Sequence, residues 1–197
     1  MYCQLEMLRR CPLRKISCAL KELPRTLDGT YERILQGIDK EKRDDAHRIF
    51  QWLMVSSRPL LVKELAEVFA IDFDKEAFGI PTFDLSLRDT NAETVVLSTC
   101  STLVSIVDLG GIKVAQFSHF SVKEYLTSDC LTNLDHVSFF HIPPKPTHTL
   151  LAKACLSILF QLDYSMDWVK ILNFPLAPYV AEYWMNHVRF EDVSSDI

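Results

Sequence analysis

Residues 90–126 read T-N-A-E-T-V-V-L-S-T-C-S-T-L-V-S-I-V-D-L-G-G-I-K-V-A-Q-F-S-H-F-S-V-K-E-Y-L, and the fold is decided here. Thr90 with Glu93 three residues later has the form of a capping box, in which hydroxyl and carboxylate satisfy exposed backbone N–H groups. A helix is predicted to open there and run to about Thr102, with Val96, Cys100 and Leu103 on its buried stripe. The β-branched runs 103–107 and 112–117 flank Asp108-Leu109-Gly110-Gly111, where glycine permits the positive φ angles of a tight hairpin turn. A further helix is predicted over 121–128, packing Val122, Tyr125 and Leu126.

Upstream of this stretch lie more helices. One is predicted to open at Thr26 and to carry Tyr31, Ile34, Leu35 and Ile38 on one stripe. After a charged turn over 39–45, the next places Ala46, Ile49, Phe50, Leu53 and Met54 at helical spacing and ends before Ser56-Ser57-Arg58-Pro59. A shorter helix turns Val62, Leu65, Ala66 and Phe69 inward, and 71–88 reads as an irregular stretch with one short strand. Helix, helix, helix, hairpin is the order of a winged helix. Residues 1–22 suggest two short helices broken at Pro12.

Downstream, 137–142 is predicted as a short strand and Pro143-Pro144-Lys145-Pro146 as a rigid break, with Thr147 capping the helix after it. That helix carries Leu151, Ala154, Cys155, Ile158, Leu159 and Leu162 on one stripe. A last helix over 176–188 carries Tyr179, Val180, Tyr183 and Trp184, and 191–197 reads as a frayed tail. The expected fold is mainly α with a small β-hairpin, a winged helix flanked by helical segments.

Composition narrows the function. The chain has 197 residues and only five glycines, so neither G-x-G-x-x-G nor G-x-x-x-x-G-K-[ST] can be assembled. A net charge of -5 gives no electrostatic reason to seek nucleic acid or an anionic membrane. Between Arg88 and Lys113, which spans the third helix of the winged helix, there is no Lys or Arg for a DNA groove. The six cysteines form no C-x-x-C pair and read as thiols of a reducing compartment, and with no signal-peptide core a cytoplasmic location is expected.

Several phrases resemble the region that follows the nucleotide-binding core in NACHT-type signalling ATPases, especially fungal NLR-like STAND proteins that continue into ankyrin repeats. Leu23-Pro24-Arg25-Thr26-Leu27-Asp28-Gly29-Thr30-Tyr31-Glu32-Arg33-Ile34-Leu35 is similar to L-P-x-T-L-x-E-x-Y-x-R-I-L. Trp52-Leu53, Arg58-Pro59-Leu60 and Glu64-Leu65-Ala66-Glu67 are similar to W-L-x(4)-R-P-L-x-x-x-E-L-A-E. Phe117-Ser118-His119-Phe120-Ser121-Val122-Lys123-Glu124-Tyr125-Leu126 resembles F-x-H-x-S-x-x-E-[FY]-L, and Tyr179 to His187 resembles Y-A-A-E-Y-W-x-x-H. The same winged helix also goes under a GPI inositol-deacylase label, but without G-x-S-x-G that label implies no hydrolase here. Two departures stand out: Gly29 replaces an acidic residue in the first helix, and Leu61 stands where a capping Ser or Thr is usual.

The resemblance implies segments at 1–22 (end of the NACHT-type core), 23–56 (helical), 57–130 (winged helix) and 131–197 (helical, leading toward repeats). It implies a non-enzymatic regulatory module whose partners in cis are the NACHT domain and ankyrin-type repeats. No cofactor belongs to this region itself, while ADP or ATP would bind in the full-length context. His119 would approach the β-phosphate of ADP, against the plainer expectation that backbone neighbours satisfy it at a strand-to-helix junction. A stand-alone adaptor binding through the 147–188 helices is the alternative, and a DNA-binding winged helix ranks third. Cys100 is expected to pack rather than act as a nucleophile, and His136, His141 and His148 lack ligand partners at zinc spacing. His187 has no role from sequence.

Overall fold

A computed structural model describes residues 26–88, 91–100, 102–162, 171, 173–195 and 197. Expectations for 1–22, for Leu23-Pro24-Arg25, for the Thr90 cap and for the Cys100 side chain lie outside the described residues. Within them the order is α1 (Leu27–Gln36), α2 (Arg43–Val55), β1 (Leu60–Leu61), α3 (Val62–Ala66), β2 (Ile71–Ala77), β3 (Ile80–Phe83), α4 (Ala92–Cys100), β4 (Val104–Leu109), β5 (Ile112–Phe117), α5 (Phe120–Leu126), α6 (Asp129–Thr132), α7 (Pro144–Leu159) and α8 (Ala177–Val188).

The winged helix is α2, β1, α3, α4 and the β4–β5 wing. Its sheet runs β1-β5-β4, all antiparallel, with Leu60 opposite Ala115 and Val104 opposite Phe117. Asp108 and Leu109 pair with Lys113 and Ile112, so the wing turn shrinks to Gly110-Gly111, at φ 69° and 91°. Both glycines hold left-handed backbone, which a two-residue primed turn demands.

Other expectations shift for physical reasons. The stretch 71–88 forms a full hairpin, β2–β3, inserted between α3 and α4 and turning at Phe78-Gly79. The predicted strand at 137–142 is a 3-10 turn over Ser138–Phe140, because the buried residues Val137 and Phe140 are three apart rather than two. Helix α7 starts at Pro144, ahead of the expected Thr147; Pro144 and Pro146 sit in a first turn whose N–H groups have no intrahelical partner, so prolines lose nothing there. Thr147 Oγ1 instead donates back to the Pro143 carbonyl at 2.7 Å. The tail also departs from expectation: Phe190–Ser195 is a 3-10 turn with Val193 fully buried.

Each of the two sequence departures leaves half a capping box. At α1, Thr26 Oγ1 accepts from Gly29 N at 3.1 Å, and the acidic reply is missing. At α3 the roles reverse. Leu61 offers no side-chain acceptor, but Glu64 Oε2 accepts from Leu61 N at 2.8 Å. Asn91 Oδ1 accepts from Thr94 N at 3.1 Å and so caps α4, while the Glu93 carboxylate turns away to pair with Lys113.

One apolar core runs through all of these elements. Phe50 of α2 meets Phe117 of β5 and Phe140, with ring centroids 6.0 and 6.1 Å away. Trp52 meets Tyr179 of α8 at 6.0 Å, and Phe83 meets Phe174 at 5.8 Å. The α7 stripe of Leu151, Ala154, Cys155 and Ile158 is fully buried in the same core, so those side chains are not an open adaptor face. Burial pushes the Cys155 thiol up to about 12, which keeps it unionised.

The segments also meet at a polar corner. Arg58 grips Glu64 with both terminal nitrogens at 2.8 Å and lies over the rings of Tyr179 and Tyr183 at 5.2 and 5.7 Å. Glu64 is 2% exposed, so removing its carboxylate strands both the Leu61 N–H and the Arg58 fork. Glu64→Ala is expected to lower stability by about 3 kcal/mol, read as a Tm lower by roughly 6–12 °C in a thermal melt. Glu64→Gln, which can still accept from Leu61, should lose less.

Candidate functional site

Two places carry polar side chains in an ordered arrangement. The first is the β5–α5 junction that holds His119. The extended backbone of His119 makes it the N-cap of α5, where its Nδ1 accepts from Ser121 N at 3.2 Å and meets Ser121 Oγ at 2.6 Å. Tyr31 OH of α1 reaches the same Ser121 hydroxyl at 2.6 Å. Three side chains from α1, the junction and α5 thus form one chain that fixes the imidazole. Its ring is exposed and lies against Phe120, with centroids 4.5 Å apart.

A serine hydroxyl 2.6 Å from an imidazole nitrogen also suits a nucleophile and its base. Here the hydroxyl is shared with Tyr31, and the imidazole is occupied by the amide of the same turn, so both groups order the helix start. The plainer expectation for His119 accounts for Nδ1. Nε2 lies on the opposite side of the ring. Glu124 is exposed on the following turn.

The second place was not legible as a site. His187 is fully buried; its Nε2 faces Tyr179 OH at 3.0 Å and its Nδ1 faces His148 Nδ1 at 3.0 Å. Tyr179 OH accepts from Ser57 N at 3.1 Å while it contacts His187 Nε2. Phe190 stacks on His148 with centroids 3.9 Å apart and planes 12° apart. The chain from Ser57 through Tyr179 and His187 to His148 joins the α2–β1 corner to α8 and α7. Positions 179, 183 and 187 share one helix face, which was the signal available in the sequence.

The remaining predicted residues are dispersed. His136 Nε2 meets Glu32 Oε1 at 2.8 Å, and His141 lies on the loop before α7. Lys113 is the wing's cation and is paired with Glu93 of α4. Glu67 lies 2.5 Å from Arg88 as an ion pair rather than a well-aimed hydrogen bond, and burial raises its carboxyl. Among the described residues no helix is long and apolar enough to cross a membrane.

A family model, the winged helix domain of GPI inositol-deacylase, matches residues 31–139, from Tyr31 of the His119 chain to the turn before α7. The chain belongs to this winged-helix family. The family's span includes the wing, the β2–β3 insertion and the His119 junction, and stops short of α7 and α8. The chain is also 36% identical over 175 residues to the azaphilone pigments biosynthesis cluster protein L of Monascus ruber. That alignment covers 85% of this chain and 36% of the relative, so the chain spans about a third of that protein's length. No solved structure matches the chain.

Burial holds His187 and His47 at about 4, well below the ordinary 6.5, so both are neutral in the folded winged-helix protein at neutral pH. The unfolded chain takes up protons at these positions first. Their contribution is therefore complete above about pH 6.5 and is lost as pH falls toward 4, on the order of 3 kcal/mol for each histidine. Glu67 works the other way, since a carboxyl that holds its proton more tightly when folded gains stability on acidification. Urea midpoints between pH 7 and pH 4 should fall, and the fall should be shallower in His187→Gln.

Proposed function

We propose that this chain is a non-enzymatic regulatory and interaction module, which couples the nucleotide state of a NACHT-type signalling ATPase to a C-terminal repeat sensor. ADP or ATP would be held by the ATPase core. The winged helix would add one contact, from His119 to a phosphate of ADP, and would swing away on exchange, biasing two packings of the same domains.

The observation that carries this reading is the fixed, outward imidazole. Its Nδ1 is committed to Ser121 and Tyr31 orders that serine, so the ring is pre-set with its far edge exposed. The polar corner supports the coupling half of the reading. Because Arg58, Ser57 and Trp52 all touch α8, a displacement of the winged helix would carry α7 and α8 along. The relative named for azaphilone pigment biosynthesis contains this region within a longer chain, in keeping with a part that works inside a larger protein.

DNA recognition is not part of the proposal. Helix α4 carries Glu93 where a groove-reading helix places cations, and Lys113 of the wing is spent on that same carboxylate. In a low-salt gel shift this chain should leave a labelled duplex unretarded; tight, salt-sensitive retardation would reverse the assignment.

Capping and clamping by His119 can be separated. His119→Asn keeps a good N-cap and removes the imidazole, whereas His119→Leu removes both. In a longer relative that carries the ATPase core, both variants should raise basal signalling, while only Leu should lower the stability of this region, by about 1 kcal/mol. Unchanged resting activity in the Asn variant would sink the clamp.

A further inference from the structure

A strand at the margin of a sheet shows a row of unpaired N–H and C=O groups, and a protein that stays single guards such a margin against further pairing. The described sheets of this chain are guarded at every margin but one. Strand β1 is two residues long and follows Pro59. Strand β3 carries Pro81, and β2 is broken by a register shift between Asp72 and Glu76 and bears the exposed charges of Asp74, Lys75 and Glu76. Strand β4 (Val104–Leu109) is the free margin of the order β1-β5-β4, and it has no proline, no lysine and no break in its register.

The wing turn decides which groups of β4 face outward. A two-residue primed turn makes Leu109 and Ile112 a hydrogen-bonded pair, so Val107 and Ser105 also turn their backbone groups to β5. Ser118 N donates to Leu103 O at 2.8 Å and continues the same alternation. The N–H and C=O groups of Ile106 and Asp108 therefore point away from β5, and among the described residues nothing is bonded to them. At the inner end Val104 is closed off, at 1% exposed. Ser105, Ile106 and Val107 are half-buried, Asp108 is exposed, and Leu109 is 61% exposed, so the open stretch is the outer part of the wing.

We propose that this edge is a dimer contact, at which β4 pairs antiparallel with β4 of a second copy about a twofold axis at Val107. Ile106 of each copy then faces Asp108 of the other, so every outward backbone group of the open stretch meets its complement. Val107 meets its own counterpart in the closely spaced position, with about 4.5 Å between Cα atoms. An axis at Asp108 instead would set two carboxylates directly opposite each other, and an axis at Ile106 would call on the covered backbone of Val104. A second copy suits this edge better than an unstructured peptide does. Its strand is already held by β5, whereas a flexible segment loses about 1–2 kcal/mol per residue on becoming extended. Pairing stops at two, because both copies use the same edge and the other margins are guarded. The wing turn and the His119 junction lie at opposite ends of β5, so failure of this contact would leave the His119 reading intact.

Analytical ultracentrifugation of the whole chain over a concentration series tests the contact. The parent should be a dimer at about 100 μM and dissociate on dilution. Val107→Lys and Val107→Glu each place like charges opposite one another across the axis, and each should weaken the dimer by about tenfold or more. An equimolar mixture of the two variants should dimerise again as a mixed pair, and that rescue shows that both are folded. A parent that stays monomeric at about 100 μM, variants that self-associate as well as the parent, or variants that do not recombine each overturn the proposal. So does a monomeric parent that binds an extended valine–threonine peptide, which would give the edge to a strand from another protein.

Discussion

The pairing of Arg58 with Glu64 organises more of this protein than any other single contact. Glu64 is nearly inaccessible to water, and a carboxylate in that position is tolerable only because a two-pronged guanidinium and the Leu61 N–H meet it together. The fork fixes how the chain turns from α2 into β1 and then α3. The outer face of Arg58 is then free to lie on Tyr179 and Tyr183, which brings α8 against the winged helix. Tyr179 in turn receives the Ser57 N–H and hands the link on to His187 and His148. Removing the carboxylate would therefore loosen a helix start, a strand entry and a helix-to-helix contact at once.

This corner gives a physical meaning to phrases that otherwise stand as a pattern of letters. In W-L-x(4)-R-P-L-x-x-x-E, the tryptophan meets Tyr179, the arginine and the glutamate are the fork, and the leucine is the strand residue paired with Ala115. In the closing phrase, Tyr179 and His187 are the two ends of one hydrogen bond, two helical turns apart. The two phrases are halves of one contact surface.

The helices and the wing were legible because their signals are local. Amphipathic spacing marked α1, α2, α7 and α8, and Gly110-Gly111 marked the wing turn. The β2–β3 hairpin was not legible, since its turn uses Phe78 where turn rules call for Asn or Gly, and its strands mix acids with aromatics. The start of α7 was hidden by prolines, which read as a break although a first helical turn accepts them. His119 was placed at the right junction, and its cap to Ser121 matches the plainer expectation. The His187 network was invisible because its partners, Ser57 and His148, are 122 residues apart from Tyr179 and 39 from His187, respectively.

That separation sets a timetable for synthesis. Ser57 leaves the ribosome 122 residues before Tyr179, an interval of roughly 6–24 s at ordinary elongation rates of about 5–20 residues per second. For that time Trp52 has no aromatic neighbour from α8, and the Ser57 N–H has no phenol to receive it. The nascent winged helix carries an uncovered apolar flank at the Trp52 corner until α8 emerges to close it. The exposure of that flank ends when α8 docks.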